Sequence, residues 1–314
     1  MNVCALAGGV GGAKLAGGLQ DVLPPGELSM VVNTADDFDL WGLHICPDLD
    51  TVMYTLAGIS NPETGWGIVD ESFETLNMLE RYGEETWFRL GDRDLATHIL
   101  RTSRMRSGET LTEVTAGLSA VLGVDSAVLP MSDDPVFTVL ETAEGHLEFQ
   151  EYFVRRGQRD EVLAIELCGI QDARPTERVL AAISGADAIV LCPSNPVVSV
   201  GPILALPGMK EALTSSSAPK VAVSPIVGGR ALKGPADRML ASLGHEVSAA
   251  GVARMYAGLV GGMVIDRTDE EERVGIEALG MRVLVTQSVM RDAEDRARLA
   301  SETLELVRDW WRGE

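Results

Sequence analysis

The opening of the chain constrains the fold more than any other stretch. An apolar strand is predicted over residues 2–7, and it runs directly into Gly8-Gly9-Val10-Gly11-Gly12-Ala13-Lys14. A helix should follow over residues 14–23, closed by Pro24 and Pro25. In such a turn the missing side chains let phosphate oxygens reach backbone N–H groups at a helix N-terminus. The turn matches neither common fingerprint. A Walker A loop needs glycine before the lysine and a hydroxyl after it, where this chain has Ala13 and Leu15. The dinucleotide pattern GxGxxG fails because Lys14 takes its last glycine position. The ligand-free alternative is a tight strand-to-helix turn.

The strand–helix alternation continues through the chain. A second strand, Leu28–Val32, leads into NTADDFDLWG, and residues 51–122 read as mainly helical, with Leu76, Leu79 and Tyr82, then Leu95, Ile99 and Thr102, at helical spacing. After MSDDP the texture changes: VFTVLETAEGHLEFQEYFVRR alternates apolar and polar residues around a Glu-Gly turn. From Thr176 the α/β rhythm returns, with a helix over 176–184 and strands over 188–192, 220–224, 263–266 and Arg282–Thr286. A closing helix over 292–312 carries Ala293, Ala297, Ala300, Leu304 and Val307 on one side. The pattern predicts an α/β fold, a doubly wound, mainly parallel Rossmann-like sheet. Residues 1–133 and 170–314 form its core, and 134–169 a small β-rich insertion. Ligands of such sheets bind beyond the carboxyl ends of the strands, where GGVGGAK, NTADD, PSNP and SPIVGG are expected.

Three further features bound the function. The chain of 314 residues has a formal net charge of −21, which argues against broad contact with nucleic acid, so any polyanionic ligand must be held locally by N–H groups, a few cations or a metal. The uncharged stretch from Ala188 to Met209 raises the question of a membrane span, but Pro193, Pro196, Pro202 and Pro207 interrupt it. No membrane partner is expected. Cys4, Cys46, Cys168 and Cys192 are scattered without zinc-ligand spacing and nothing marks a signal peptide, so a reducing cytoplasm is expected.

The candidate residues gather in the same loops. Asp36, Asp37 and Asp39 crowd the end of the second strand, and Asp48 and Asp50 follow in CPDLDT. Clustered carboxylates there can hold magnesium, or they form a solvated acidic loop that caps helices. Arg89 and Arg93 of LGDRDLATH can grip a phosphate or a ring oxygen, or serve as scaffold, while His98 reads as a packed histidine. Ser194, Asn195, Ser224, Gly228 and Gly229 suit a base edge or ribose, or ordinary turns. No Ser-His-Asp elbow occurs, and HEVS at His245 is not a zinc HExxH motif.

Taken in order, GGVGGAK, VVNTADD, CPDLDTVMYTLAG, LGDRDLATHILR, LPMSDDPV, CPSNPVVSVGPILALPGM and VAVSPIVGG resemble the 2-phospho-L-lactate transferase family, which builds the deazaflavin carrier coenzyme F-420. The resemblance implies transfer of a phospholactyl or phosphoenolpyruvyl group from a guanosine diphospho-acid to the ribityl hydroxyl of 7,8-didemethyl-8-hydroxy-5-deazariboflavin, with release of GMP. It implies magnesium held by Asp36 and Asp50, which would also be the catalytic pair, and acceptor contacts from Asp50 and Arg89, with Arg93 beside them. Gly9, Gly11, Gly12, Lys14, Asn33, Ser194, Asn195, Ser224, Gly228 and Gly229 would cradle the donor. Sheets of this kind often pair, so a homodimer is expected. The alternatives are a sugar-phosphate nucleotidyltransferase and a non-catalytic nucleotide-sugar-binding regulator of the same fold. CPDLDT and LGDRD favour the enzyme.

Overall fold

A computed structural model of the protein describes residues 1–312. Its central sheet has seven strands: β1 (Val3–Ala7), β2 (Leu28–Val32), β3 (Ala127–Pro130), β4 (Ala188–Leu191), β5 (Lys220–Val223), β6 (Gly262–Asp266) and β7 (Arg282–Thr286). They lie in the order β7-β6-β5-β4-β1-β2-β3, every neighbouring pair parallel. A parallel sheet is covered on both faces, which is why β1 reads VCALA with no polar residue. Its Cys4 and Leu6 enter one apolar layer, and Val3, Ala5 and Ala7 the other. The direction of winding reverses between β1 and β4, so a crevice opens beyond their carboxyl ends.

Helices α1 (Gly9–Val22), α2 (Pro47–Leu56), α3 (Glu74–Arg81), α4 (Asp92–Arg106) and α5 (Leu111–Val121) fill the first half of the chain. Two boundaries differ from expectation. Helix α1 begins at Gly9 and not near Lys14, so the glycines form its first turns. Helix α2 begins at Pro47, whose fixed φ suits a first helical position, and this puts Asp48 and Asp50 in a helical first turn and not in a loop. Between β2 and α2 an antiparallel hairpin pairs Phe38–Leu40 with Leu43–Ile45, with Trp41 (φ 51°) and Gly42 (φ 73°) forming the two-residue turn.

The alternating segment folds as a three-stranded antiparallel sheet, Phe137–Thr142 between Gly145–Glu148 and Val162–Cys168. It docks on the core by burying Leu140, Leu147, Phe149 and Tyr152 with Val198 and Met239. The uncharged stretch is β4, a turn and the short helix Val200–Ala205. Among the described residues no helix is long and apolar enough to cross a membrane. The helix Ala293–Arg312 packs Leu299, Ala300, Leu304 and Val307 into the layer holding Leu15, Ala16 and Leu19 of α1. Ala293 of the expected stripe is exposed instead.

Candidate active site

The crevice is built from the first turn of α1 and the loop after β4. Gly8 N–H donates to Ser194 Oγ at 3.0 Å, which ties the two strand ends together. A Cβ on Gly11 would stand 2.2 Å from Pro193 O, and one on Gly12 2.4 Å from Ser194 Oγ. Gly11 is therefore required by the approach of the Pro193 backbone, and Gly12 by the Ser194 and Ala7 side chains, whatever ligand lies above. Gly11 lines the cavity beyond the crevice, and Gly12 lies beneath it.

At the end of β2, Asn33 organises the carboxylates. Its Nδ2 donates to Asp36 Oδ2 at 3.1 Å and to Asp48 Oδ2 at 3.0 Å, and its Oδ1 accepts from Ala35 N–H. Asp48 Oδ1 in turn accepts from Gly9 N–H at 2.7 Å, at the positive end of the α1 dipole. Asp36 and Asp48 are thus brought against one amide inside the protein. Burial, then the neighbouring Asp48, pushes the Asp36 carboxyl well above the usual range. Burial likewise pushes Asp48 up to about 6, against the hydrogen bonds from Asn33 and Gly9. Asp36 Oδ1 is buried without a hydrogen-bond partner among the described residues. An orphaned carboxylate oxygen beside a second buried carboxylate is a hard, anionic donor set of the kind that suits magnesium.

Asp50 sits in a different network. Both its oxygens accept from the Arg101 guanidinium, which is fully buried. His98 lies between Asp50 (3.6 Å) and Asp94 (3.3 Å), and Tyr54 OH donates to Asp94 at 2.7 Å. His98 is packed, as expected, inside a buried ion-pair cluster. Asp37, His44 and Cys46 form a second compact group, each offering one potential ligand atom within 4.8 Å of the others.

The cavity has a volume of about 610 Å³, within the range of small-molecule sites. Of the expected residues it is lined by Gly9, Gly11, Lys14, Asp36, Asp50, Arg89, Ser194, Asn195 and Ser224. Gly228 and Gly229 fall outside its lining: they turn the small hairpin Ile226–Val227/Arg230–Ala231, with φ of 57° and 72°. Asn33 acts from behind, through Asp36 and Asp48. Asn195 Oδ1 accepts from Val197 N–H, and Ser224 Oγ closes a turn with Ile226, so both stabilise their own loops. Arg93 is exposed, donates to Val69 O and does not reach the cavity, because the start of α4 turns it outward. Arg89 does line it, its guanidinium 4.4 Å from the centre of the Phe73 ring.

Sequence reasoning missed the aromatic wall. Tyr54, Trp66, Trp87, Phe88, Phe149 and Phe153 all line this cavity, the last two stacked at 5.5 Å, in a chain with only 5% aromatic residues. That scarcity was the available signal: WF directly precedes Arg89, and two phenylalanines, Phe149 and Phe153, fall four residues apart in the middle of the β-rich segment. Aromatic side chains lining a cavity can accept a flat ring system.

Comparison with known proteins agrees with this architecture. The solved structure of a UPF0052-family protein from Bacillus halodurans superposes with a TM-score of 0.64 at 18% identity, covering 96% of this chain and 98% of that one, which shows the shared fold. A phosphoenolpyruvate transferase of Streptomyces griseus is 44% identical over 98% of this chain and 99% of its own length. A 2-phospho-L-lactate transferase of Methanosarcina acetivorans is 40% identical over 94% of this chain and 95% of its own. The family model for 2-phospho-L-lactate transferase CofD matches residues 3–304, and with that match over nearly its whole length the chain belongs to this family.

Proposed function

We propose that the protein transfers a phospholactyl or phosphoenolpyruvyl group from a guanosine diphospho-acid to the ribityl hydroxyl of 7,8-didemethyl-8-hydroxy-5-deazariboflavin, releasing GMP, in the synthesis of coenzyme F-420. The observation that carries this reading is one cavity holding a helix N-terminus with a lysine, a buried carboxylate pair and an aromatic wall. The named relatives over the full chain support the same class of reaction.

The parts divide by chemistry. Val10 and Gly11, whose N–H groups lie in the unpaired first turn of α1, and Lys14 face the donor phosphates. The aromatic wall, with Arg89, takes the deazaflavin ring. Magnesium is proposed at Asp36, with Asp50 and Asp48 on the same cavity, and when bound it would neutralise charge on the phosphates and lower the barrier to attack. Both oxygens of Asp50 accept from Arg101, which fixes the orientation of that carboxylate at the edge of the site. The ribityl oxygen forms a bond to the phosphorus bearing the acid; the bond from that phosphorus to the bridging oxygen breaks, and its electron pair leaves with GMP. The hydroxyl proton passes to Asp48, the carboxylate beside the proposed metal ligand, acting as general base. Reactions of this type need alignment and charge neutralisation more than covalent help.

The test is an end-point assay with purified protein, magnesium, the deazaflavin and each guanosine diphospho-acid in turn, read by mass spectrometry of the adduct and of GMP. Formation of one adduct with stoichiometric GMP supports the reading and identifies the acid. Binding of guanine nucleotide without any adduct would replace it with the regulator.

A further inference from the structure

The chain has only four lysines, and two of them, Lys14 and Lys233, line the same cavity. Both ammonium groups are held by neutral backbone carbonyls: Lys14 Nζ donates to Met290 O at 2.8 Å and Lys233 Nζ to Thr64 O at 2.8 Å. Their charges therefore face the cavity uncancelled by those partners, in a molecule whose net charge is −21.

The two lysines come from opposite walls. Lys14 stands on α1, one turn after Val10, so both share a helix face. Lys233 follows the hairpin Ile226–Val227/Arg230–Ala231, beyond the end of β5, and reaches across to the loop holding Thr64 and Gly65. A Cβ placed on Gly65 would lie 2.6 Å from a Val10 methyl and 3.1 Å from Lys233 Nζ, so Lys233 closes over the start of α1. After burial, the charge of Lys233 is the next influence lowering the Lys14 pKa. Two like charges drawn together over a helix N-terminus are unfavourable until an anion joins them.

We propose that Lys233 is the second cation of a clamp on the donor's diphosphate, acting from the hairpin side on the phosphates that Lys14 meets from α1. The ligand class is a nucleoside diphosphate or its ester, and its identity as a guanosine diphospho-acid rests on the transferase reading above. The Lys233 ammonium exchanges a neutral carbonyl for a charged phosphate oxygen, and its flexible stem makes that exchange possible without moving the sheet. Arg89, over the Phe73 ring, is left to the acceptor side.

Isothermal titration of GDP and of inorganic pyrophosphate, each with magnesium, into wild type, Lys233→Met and Lys233→Arg tests the clamp. Lys233→Met should weaken both ligands by roughly 10- to 100-fold, the range for a lost charge-assisted contact, and Lys233→Arg should recover most of it. Deazaflavin binding, followed by its absorbance, should not change. If Lys233→Met binds both ligands like wild type but melts earlier, Lys233 is only a latch on Thr64 O and the clamp is overturned, whatever the turnover. If wild type makes no adduct yet Lys233→Met still loses pyrophosphate affinity, the clamp stands and the transferase reading falls.

Discussion

Asn33 is a single amide serving two carboxylates, and the behaviour of Asp36 and Asp48 follows from that. Both are buried, and Asp48 holds its proton up to about pH 6, so the folded protein resists an ionisation that the unfolded chain undergoes near pH 4. For a carboxylate with a raised pKa, the folded state binds more protons than the unfolded one between those values, so stability falls as pH rises through that window. Asp36→Asn removes one of the two charges. In metal-free buffer it should match wild type near pH 4 and be more stable than wild type at pH 7.5, read by urea unfolding at both pH values. The same variant should lose transfer activity by roughly two orders of magnitude or more, because it removes the orphaned oxygen assigned to magnesium. An unchanged stability difference across the two pH values would reject the buried-charge argument. Arg101 presents the opposite case. Arg101→Met strands Asp50 and His98 in the interior and should cost about 3 to 5 kcal/mol, whereas removing both charges with Asp50→Asn should recover part of that loss.

At the scale of elements, glycine means different things in two helices. Gly11 in α1 has Pro193 O where its Cβ would go, at 2.2 Å, while Gly275 in the helix Arg273–Glu277 has no atom within 4 Å of that position. Gly11→Ala should therefore force α1 off the loop after β4, lowering the melting temperature by several degrees and weakening GDP. Gly275→Ala should be neutral or stabilising by up to about 1 kcal/mol, since only backbone entropy and helix propensity change. Equal effects at the two sites, seen by thermal unfolding, would show that propensity and not packing governs α1. The same contrast explains what was legible in the sequence. Strands β1, β2 and β4 stand out because both faces of a central parallel strand are apolar. The start of α1 at Gly9 is illegible locally: four glycines in seven residues disfavour a helix, and only contact with Pro193, some 180 positions away, explains them. Asp48 was visible as an acidic residue, but its pairing with Asp36 through Asn33 requires β2 and α2 to be brought together. Arg93 shows the converse, a cation in a promising motif that the first turn of α4 directs to Val69 and solvent. The aromatic lining draws on α2, the loop after it, the segment before α4 and the stretch after the strand Gly145–Glu148, and no local pattern joins those four.

Across the whole molecule, the acidic surface and the cationic clamp act on the same ligand at different ranges. A net charge of −21 repels a nucleoside diphosphate at a distance, while Lys14 and Lys233 attract it only once it reaches the cavity. Salt separates the two. The screening length falls from about 30 Å at 10 mM to about 8 Å at 150 mM, so added salt removes the distant repulsion before it weakens contacts of hydrogen-bond length. At constant magnesium, the association rate constant of GDP measured by stopped flow should rise by a fewfold over that range, and its dissociation rate should rise much less. Most enzymes with anionic substrates show the reverse trend, because a net attractive field is being screened. A fall in association rate with salt here would mean that the cations around the cavity outweigh the acidic surface even at long range. In that case Lys233→Met should slow association as well as speed release, whereas a clamp that acts only at contact changes release alone.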